Sequence, residues 1–315
     1  MPYSDPTEKP SGRIREVTLG SGAGAVTFGG AAALPFYAFD GELPHAPKIA
    51  MEVFDVVPDG WATALTDALG DLIGDPAAWA RANVERFGAD MVCVQLAGTD
   101  PNGANRTPEQ AAETVAAVVA AVDVPVLVYG SGNAEKDTEV LKKVAEAITT
   151  TMLAIGSATE DNYKPITAAA IGYGHAVIAE TPIDVNMAKQ LNILITQMGL
   201  PSDRVFIDPS VGAVGYGAEY AYTVMERLRL AALNQNDDMT QMPMICNLGK
   251  EAWRSKEARA TEAEEPAWGD ATKRGVLWES VTAITLALAG ADILVMRHPS
   301  AVATVRKAIA GLSAS

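Results

Sequence analysis

The side chains in this sequence that could do chemistry gather just after short apolar runs. Asp208, Pro209, Ser210 and Gly212 follow one such run, with Gly215, Tyr216 and Gly217 close behind. Gly130, Ser131, Gly132 and Asn133 follow another, and Gln95, Asp100, Asn102, Asn105 and Arg106 a third. Glu180, Asp184 and Asn186, then Asn247, Lys250 and Glu251, then Arg297 and His298 complete the set. Amide, hydroxyl and small residues dominate it. They supply neutral donors and acceptors for gripping a polar ligand, with too few histidines for hydrolytic metal chemistry. Asp208 is the strongest single acid candidate, whereas helix capping alone explains Asp184. The glycines have two readings: tight turns, or removal of bulk so that backbone can approach a ligand face. A Schiff-base amine at Lys189 or Lys250 is weakly supported, because neither sits at a clear core-facing strand position.

These groups need a scaffold, and hydrophobic periodicity supplies one. Strand-like runs are predicted at 48–54, 90–96, 124–129, 152–155, 175–179, 204–207, 241–246 and 292–296. Helical patterns fall between them, at 61–70 with 77–87, 108–121, 135–148, 160–171, 184–198, 217–233 and 273–289, and a last one at 300–310. Thr107, Pro108 and Gln110 read as a capping box opening the helix at 108, and Gly199 ends the one before it in the fifth unit. Eight parallel units favour a closed α/β (β/α)₈ TIM barrel over an open sheet, with chemistry at the strand C-terminal ends. His175 begins the fifth strand, at the wrong end to reach that mouth. Arg297 and His298 stand at the right end, with a helix start or a partner as their alternative neighbours.

Ahead of the barrel, Ile14–Leu19 and Ala25–Phe28 flank Gly20-Ser-Gly-Ala-Gly24 and read as a β-hairpin. The glycines loosely fit a dinucleotide loop, but Val26-Thr27-Phe28 stands where that loop needs a helix N-terminus. Residues 1–13 read as a flexible lead, giving an N-terminal extension over 1–46 and a barrel over 47–315. The polar stretch 251–271, with Trp253 and Trp268 at its ends, reads as a long loop suited to a lid or a contact surface.

Composition narrows the function classes. The net charge is −15 with only 24 Lys and Arg and no basic cluster, which argues against nucleic acid and anionic membranes. No signal-peptide pattern opens the chain and no run of 18 apolar residues occurs, so a cytoplasmic protein is expected. Cys93 and Cys246 lie in apolar runs without a CxxC spacing, and two such cysteines cannot hold an iron–sulfur cluster by themselves.

Four passages, in this order and spacing, carry a resemblance over nearly the whole chain: Lys48-Ile-Ala-Met-Glu-Val-Phe-Asp55; Gly130-Ser-Gly-Asn133; Glu180-Thr-Pro-Ile-Asp-Val-Asn186 with Lys189-Gln-Leu-Asn192; and Asp208-Pro209. The chain resembles the small subunit of the corrinoid/iron–sulfur protein of the Wood–Ljungdahl acetyl-CoA pathway. The methanogen counterpart is the delta subunit of the acetyl-CoA decarbonylase/synthase complex. The resemblance implies a barrel related to those of pterin-dependent methyltransferases. It implies a heterodimer with a large subunit that carries the [4Fe–4S] cluster and holds cobalamin against this barrel's mouth. Methyl groups would arrive from methyltetrahydrofolate through a separate methyltransferase and leave to acetyl-CoA synthase. The chain would then be an accessory cap, not catalytic alone, with Asn102, Gly130, Ser131, Gly132, Asp208 and Gly215 touching the corrinoid. The rival is a free-standing methyltetrahydrofolate-dependent corrinoid methyltransferase that binds pterin through Asp184, Asn186 or Asp208. Metal analysis of the isolated chain is expected to find neither stoichiometric iron nor stoichiometric cobalt; either metal at one equivalent would overturn the accessory reading.

Overall fold

The computed structural model describes residue 7 and residues 9–314; residues 1–6 and 8 of the expected lead lie outside the described residues. The end of the lead is tied down at residues 11–13. The Gly12 N–H donates to the Leu233 carbonyl at 2.8 Å, and Ile14 is fully buried.

Strands β1 (Val17–Leu19) and β2 (Val26–Phe28) form the antiparallel hairpin, with Val17 opposite Phe28 and Leu19 opposite Val26. Eight parallel strands follow: β3 (Lys48–Phe54), β4 (Met91–Gln95), β5 (Val126–Tyr129), β6 (Ala154–Ala158), β7 (Ala176–Glu180), β8 (Val205–Asp208), β9 (Ile245–Asn247) and β10 (Ile293–Met296). They pair in the order β8-β7-β6-β5-β4-β3-β10-β9, and a parallel bridge from Ile207 to Met244 closes the ring. Parallel neighbours need crossovers, and helices provide them. These are α1 (Thr63–Leu69) with α2 (Pro76–Glu85), α3 (Pro108–Ala121), α4 (Ala134–Ala147), α5 (Tyr163–Tyr173), α6 (Val185–Gln197), α7 (Ala218–Asn234) and α10 (Ala271–Ala289), with α11 (Pro299–Ser313) last. The α3 capping box forms as the residues Thr107, Pro108 and Gln110 imply.

Side chains alternate across each strand, and this sorts two cores. Ile49, Met51 and Val53 of β3 face the helices, while Ala50 joins Cys93, Leu127, Ile178, Phe206, Ile245 and Val295 inside the barrel. Val17, Leu19 and Phe28 belong to that inner cluster, so the hairpin stoppers the end where the strands begin. Phe28 packs on Phe206 of β8 with ring centroids 5.6 Å apart.

The fourth barrel strand runs over Ala154–Ala158 rather than 152–155, and two further expectations change. The seventh strand starts at Ile245 rather than Gln241, because the Gln241 carbonyl accepts the Arg15 N–H (2.8 Å) and Pro243 has no N–H to donate. The stretch 251–271 is largely helical: α8 (Leu248–Arg254), α9 (Lys256–Arg259) and a short turn at Pro266–Trp268. Trp253 is buried at 3% exposure and Trp268 is 37% exposed, so only the second indole can meet a partner. Among the described residues no helix is long and apolar enough to cross a membrane.

If the hairpin is a packed stopper, Phe28→Ala is expected to cost about 3–5 kcal/mol, read as a lower urea midpoint at unchanged slope. Phe28→Leu should cost less. A midpoint unmoved by Phe28→Ala would show that the hairpin only rests on the barrel.

Candidate functional site

One step up seven of the eight strands from the apolar interior, the inward positions turn polar; on β6 that position is Gly156. Glu52, Gln95, Tyr129, Glu180, Asp208, Asn247 and Arg297 ring the mouth at the strand C-terminal ends. On one side Glu52, which is buried, takes an ion pair from Arg297 Nε and a hydrogen bond from Gln95 Nε2 at 3.1 Å. Gln95 Nε2 also lies 3.1 Å from Asn247 Oδ1. The Arg297 guanidinium sits 5.2 Å from the Phe54 ring centroid and 4.6 Å from that of Trp61. Its backbone N–H donates to Glu279 of α10 at 2.5 Å. Glu279 also accepts from the His298 N–H (3.0 Å) and the Trp253 indole (2.8 Å), and burial pushes its pKa up to about 7.

Across the mouth, the Tyr129 hydroxyl donates to Asp208 Oδ2 at 2.8 Å, and the Ser210 N–H donates to Asp208 Oδ1 at 3.1 Å. Burial, and then the nearby Glu180 carboxylate, push the Asp208 pKa up to about 8 despite those donors. Glu180 accepts from Ser157 Oγ and, at 3.4 Å, from Ser210 Oγ. Below them, burial holds the Cys93 thiol well above its ordinary range, so it stays protonated and unreactive.

Gln95, Tyr129, Glu180, Asp208 and Asn247 of this ring line a central cavity of about 190 Å³, together with Ser131 and Lys250. Gln95, Gly130, Ser131 and Lys250 are shared with a neighbouring cavity of about 300 Å³ beside Trp61. Gly132, Glu180 and Ser210 are shared with a third of about 410 Å³ against α6. The mouth is therefore one broad trough across the barrel top.

Of the residues singled out from sequence, Gly130, Ser131, Gly132 and Asp208 meet in the central cavity. Asn102 and Gly215 do not line it. Asn102 lies on an exposed turn, its N–H donating to Asp100 Oδ1 at 2.8 Å, and Gly215 sits near Trp278 on the approach to α7. The turn reading of the glycines has a physical basis. A Cβ at Gly130 would stand 2.3 Å from the Asp137 carboxyl carbon, and Gly132 has φ +96. Asp137 gathers the N–H groups of Ser131 and Gly132, both at 2.8 Å. Asp184 is a helix cap, accepting from Asn186 and Met187. Lys189 is ion-paired to Asp237, and His175 is buried between Leu153 and Ala145 at the opposite barrel end. His298 caps α11 through Ser300 at 3.0 Å, which settles it as a helix start. Sequence reasoning missed Glu52, Tyr129 and Glu279. For the first two the available signal was a lone polar residue at an inward strand position.

Among the described residues no group of three or more His, Cys, Asp or Glu comes together to hold a metal ion. A family model described as CO dehydrogenase/acetyl-CoA synthase delta subunit matches residues 16–306. The chain is 40% identical over 293 residues to acetyl-CoA decarbonylase/synthase complex subunit delta 2 of Methanosarcina acetivorans, covering 91% of this chain and 66% of that protein. It is 38% identical over 307 residues to the subunit delta of Methanothermobacter thermautotrophicus, covering 97% and 77%. The chain thus spans just under two thirds of the length of the Methanosarcina protein. In fold it is similar to a Xanthomonas albilineans dihydropteroate synthase, with TM-score 0.58 and 18% identity over 85% of this chain and 93% of that one. A Thermus thermophilus dihydropteroate synthase gives TM-score 0.54 and 16% identity over 95% and 99%.

The raised Asp208 pKa carries a sign. In the unfolded chain this carboxyl loses its proton near its ordinary pKa of 3.8, and in the folded chain only near 8. The stability it contributes is full below the lower value and is lost as pH rises through the upper one. Asp208→Asn, which mimics the protonated acid, is expected to flatten that decline in urea titrations from pH about 5 to about 8. Glu279 leaves a residual decline of the same sign in both proteins. Parallel stability curves for wild type and variant would refute a protonated Asp208.

Proposed function

The chain belongs to the CO dehydrogenase/acetyl-CoA synthase delta subunit family, and from that premise we propose that it is the accessory barrel subunit of a corrinoid methyl carrier. The observation that carries this reading is the mouth: a broad trough, stoppered beneath, in which amide, hydroxyl and backbone groups stand among the charged ones. A corrin macrocycle is far larger than the central cavity of about 190 Å³, so it fits across the trough rather than inside it. Its rim amides match the Gln95 and Asn247 amides, the Ser131 and Ser210 hydroxyls and the backbone of 130–132. No histidine lines the central cavity, which suits a cap that leaves a cobalt face clear. When bound, the cobalt supplies the methyl-transfer chemistry. This chain's residues orient the ring, fix its distance and exclude water. Asn102 and Gly215 are proposed as outer contacts of the same ring.

The proposed partner is a large subunit that carries the corrinoid and a [4Fe–4S] cluster, with a methyltetrahydrofolate methyltransferase and acetyl-CoA synthase as transient partners. Exposed Leu277 and Val281 on α10, beside Trp268, offer an apolar surface for such assembly. The buried Asp208 beside Glu180 supports one rival. A protonated carboxyl at a barrel mouth can pair with a heterocycle edge, as a pterin-binding methyltransferase would need. Equilibrium titration with methyltetrahydrofolate separates the two: tight binding to the chain alone, with transfer to free cobalamin, favours the rival.

Ser131 lines two of the three cavities, and a bulky residue there would prop the ring away. In the assembled carrier, Ser131→Trp is expected to slow methyl transfer roughly 100-fold, because misplacement on the ångström scale has that effect. A urea midpoint near wild type verifies the fold. An unchanged transfer rate and unchanged corrinoid occupancy would remove the 130–132 loop from the contact.

A further inference from the structure

We infer that the mouth carries a second subsite, built by Lys250, Arg254 and Arg259, for a multivalent oxyanion: phosphate or carboxylate groups attached to the ligand body. The inference rests on the trough being the binding face. The chain carries a net charge of −15, yet the cavity of about 300 Å³ on the α8 side is lined by Lys250, Arg254, Arg259 and Arg297 against only Glu52 and Asp59. Arg297 is committed to Glu52. Arg254 has one exposed contact, to Glu251 at 3.2 Å. Lys250 and Arg259 take part in none of the ion pairs found among the described residues. Two free cations on one cavity wall of an acidic protein repel each other and have no structural work to do.

Their placement is prepared. Lys250 and Arg254 are four residues apart on α8 and share a face. Lys250 lines the central cavity too, and its charge acts to lower the Asp208 pKa, so the ammonium looks into the mouth. Trp253 is pinned to Glu279 at 2.8 Å, and Ser255 is buried with its hydroxyl on the Ala252 carbonyl at 2.6 Å. Arg274 clamps α9 through the carbonyls of Glu257 (2.5 Å) and Ala260. The backbone under the three cations is thus fixed before a ligand arrives, which reduces the ordering cost of binding. Trp61 and Phe54 form the apolar wall beside them, where the uncharged body of such a ligand would lie.

The test uses the full chain at low ionic strength and pH about 7, titrated calorimetrically with inorganic pyrophosphate and, separately, with citrate. Saturable one-to-one binding is expected for at least one. Pyrophosphate alone would assign a phosphate source, and citrate alone a carboxylate source. Lys250→Gln combined with Arg259→Gln is expected to weaken binding at least tenfold, about the loss of one charge-assisted contact. Lys307→Gln, on exposed α11 surface, should leave it unchanged. Absence of saturable binding for both anions, or equal affinity in the double variant, overturns the subsite. No corrinoid is present in this titration. A chain that binds neither anion, while Ser131→Trp still blocks methyl transfer, therefore loses the subsite and keeps the corrinoid reading.

Discussion

A carboxylate enclosed by protein must be neutralised or hydrogen-bonded on every side, and Glu52 at the top of β3 is such a group, with a side chain wholly hidden from solvent. Its partner Arg297 comes from the end of β10, so the pair spans a seam of the barrel at the height where a ligand would sit. Breaking such a pair from one side costs about 3–5 kcal/mol, because the other charge is left buried alone. Everything nearby is arranged to keep it whole. Gln95 completes the carboxylate, Phe54 and Trp61 flank the guanidinium, and Glu279 holds the Arg297 backbone. Through Trp253, Glu279 extends the same web into α8, so the α8 side of the trough has one shape.

The opposite side of the mouth solves the problem differently. Asp208 takes part in none of the ion pairs found among the described residues, and Glu180 is near. The cheaper state is then the neutral acid, which keeps a proton, accepts from Tyr129 and Ser210, and adds no second negative charge. One rim is therefore held by an ion pair, and the other keeps the Glu180 carboxylate beside a protonated Asp208. A ligand bridging the two meets amide and hydroxyl groups at the centre and Lys250, Arg254 and Arg259 at the α8 edge.

The barrel was legible because its signal is repeated. Alternating apolar runs and capped helices recur eight times, and an error at one boundary, as at Gln241, leaves the count intact. The loop after β5 was legible as part of the mouth because Gly130, Ser131 and Gly132 are chemically unlike the strand before them. Glu52 and Tyr129 were not, since each sits inside an apolar run and reads locally as strand. Their meaning depends on which way the pleat points and what stands across the ring, and both are tertiary facts. Trp253 failed for the related reason that a charged neighbourhood, with Glu251, Arg254 and Lys256 around it, disguised an indole that turns inward onto His298.

The hairpin's Phe28 and Leu19 close the lower end of the barrel. Above them Cys93, Leu127, Ile178 and Val295 occupy the interior, so the barrel is a solid pedestal and not a channel. A broad ligand laid on its mouth is therefore met by this chain from one side, and its other face stays open to a second surface.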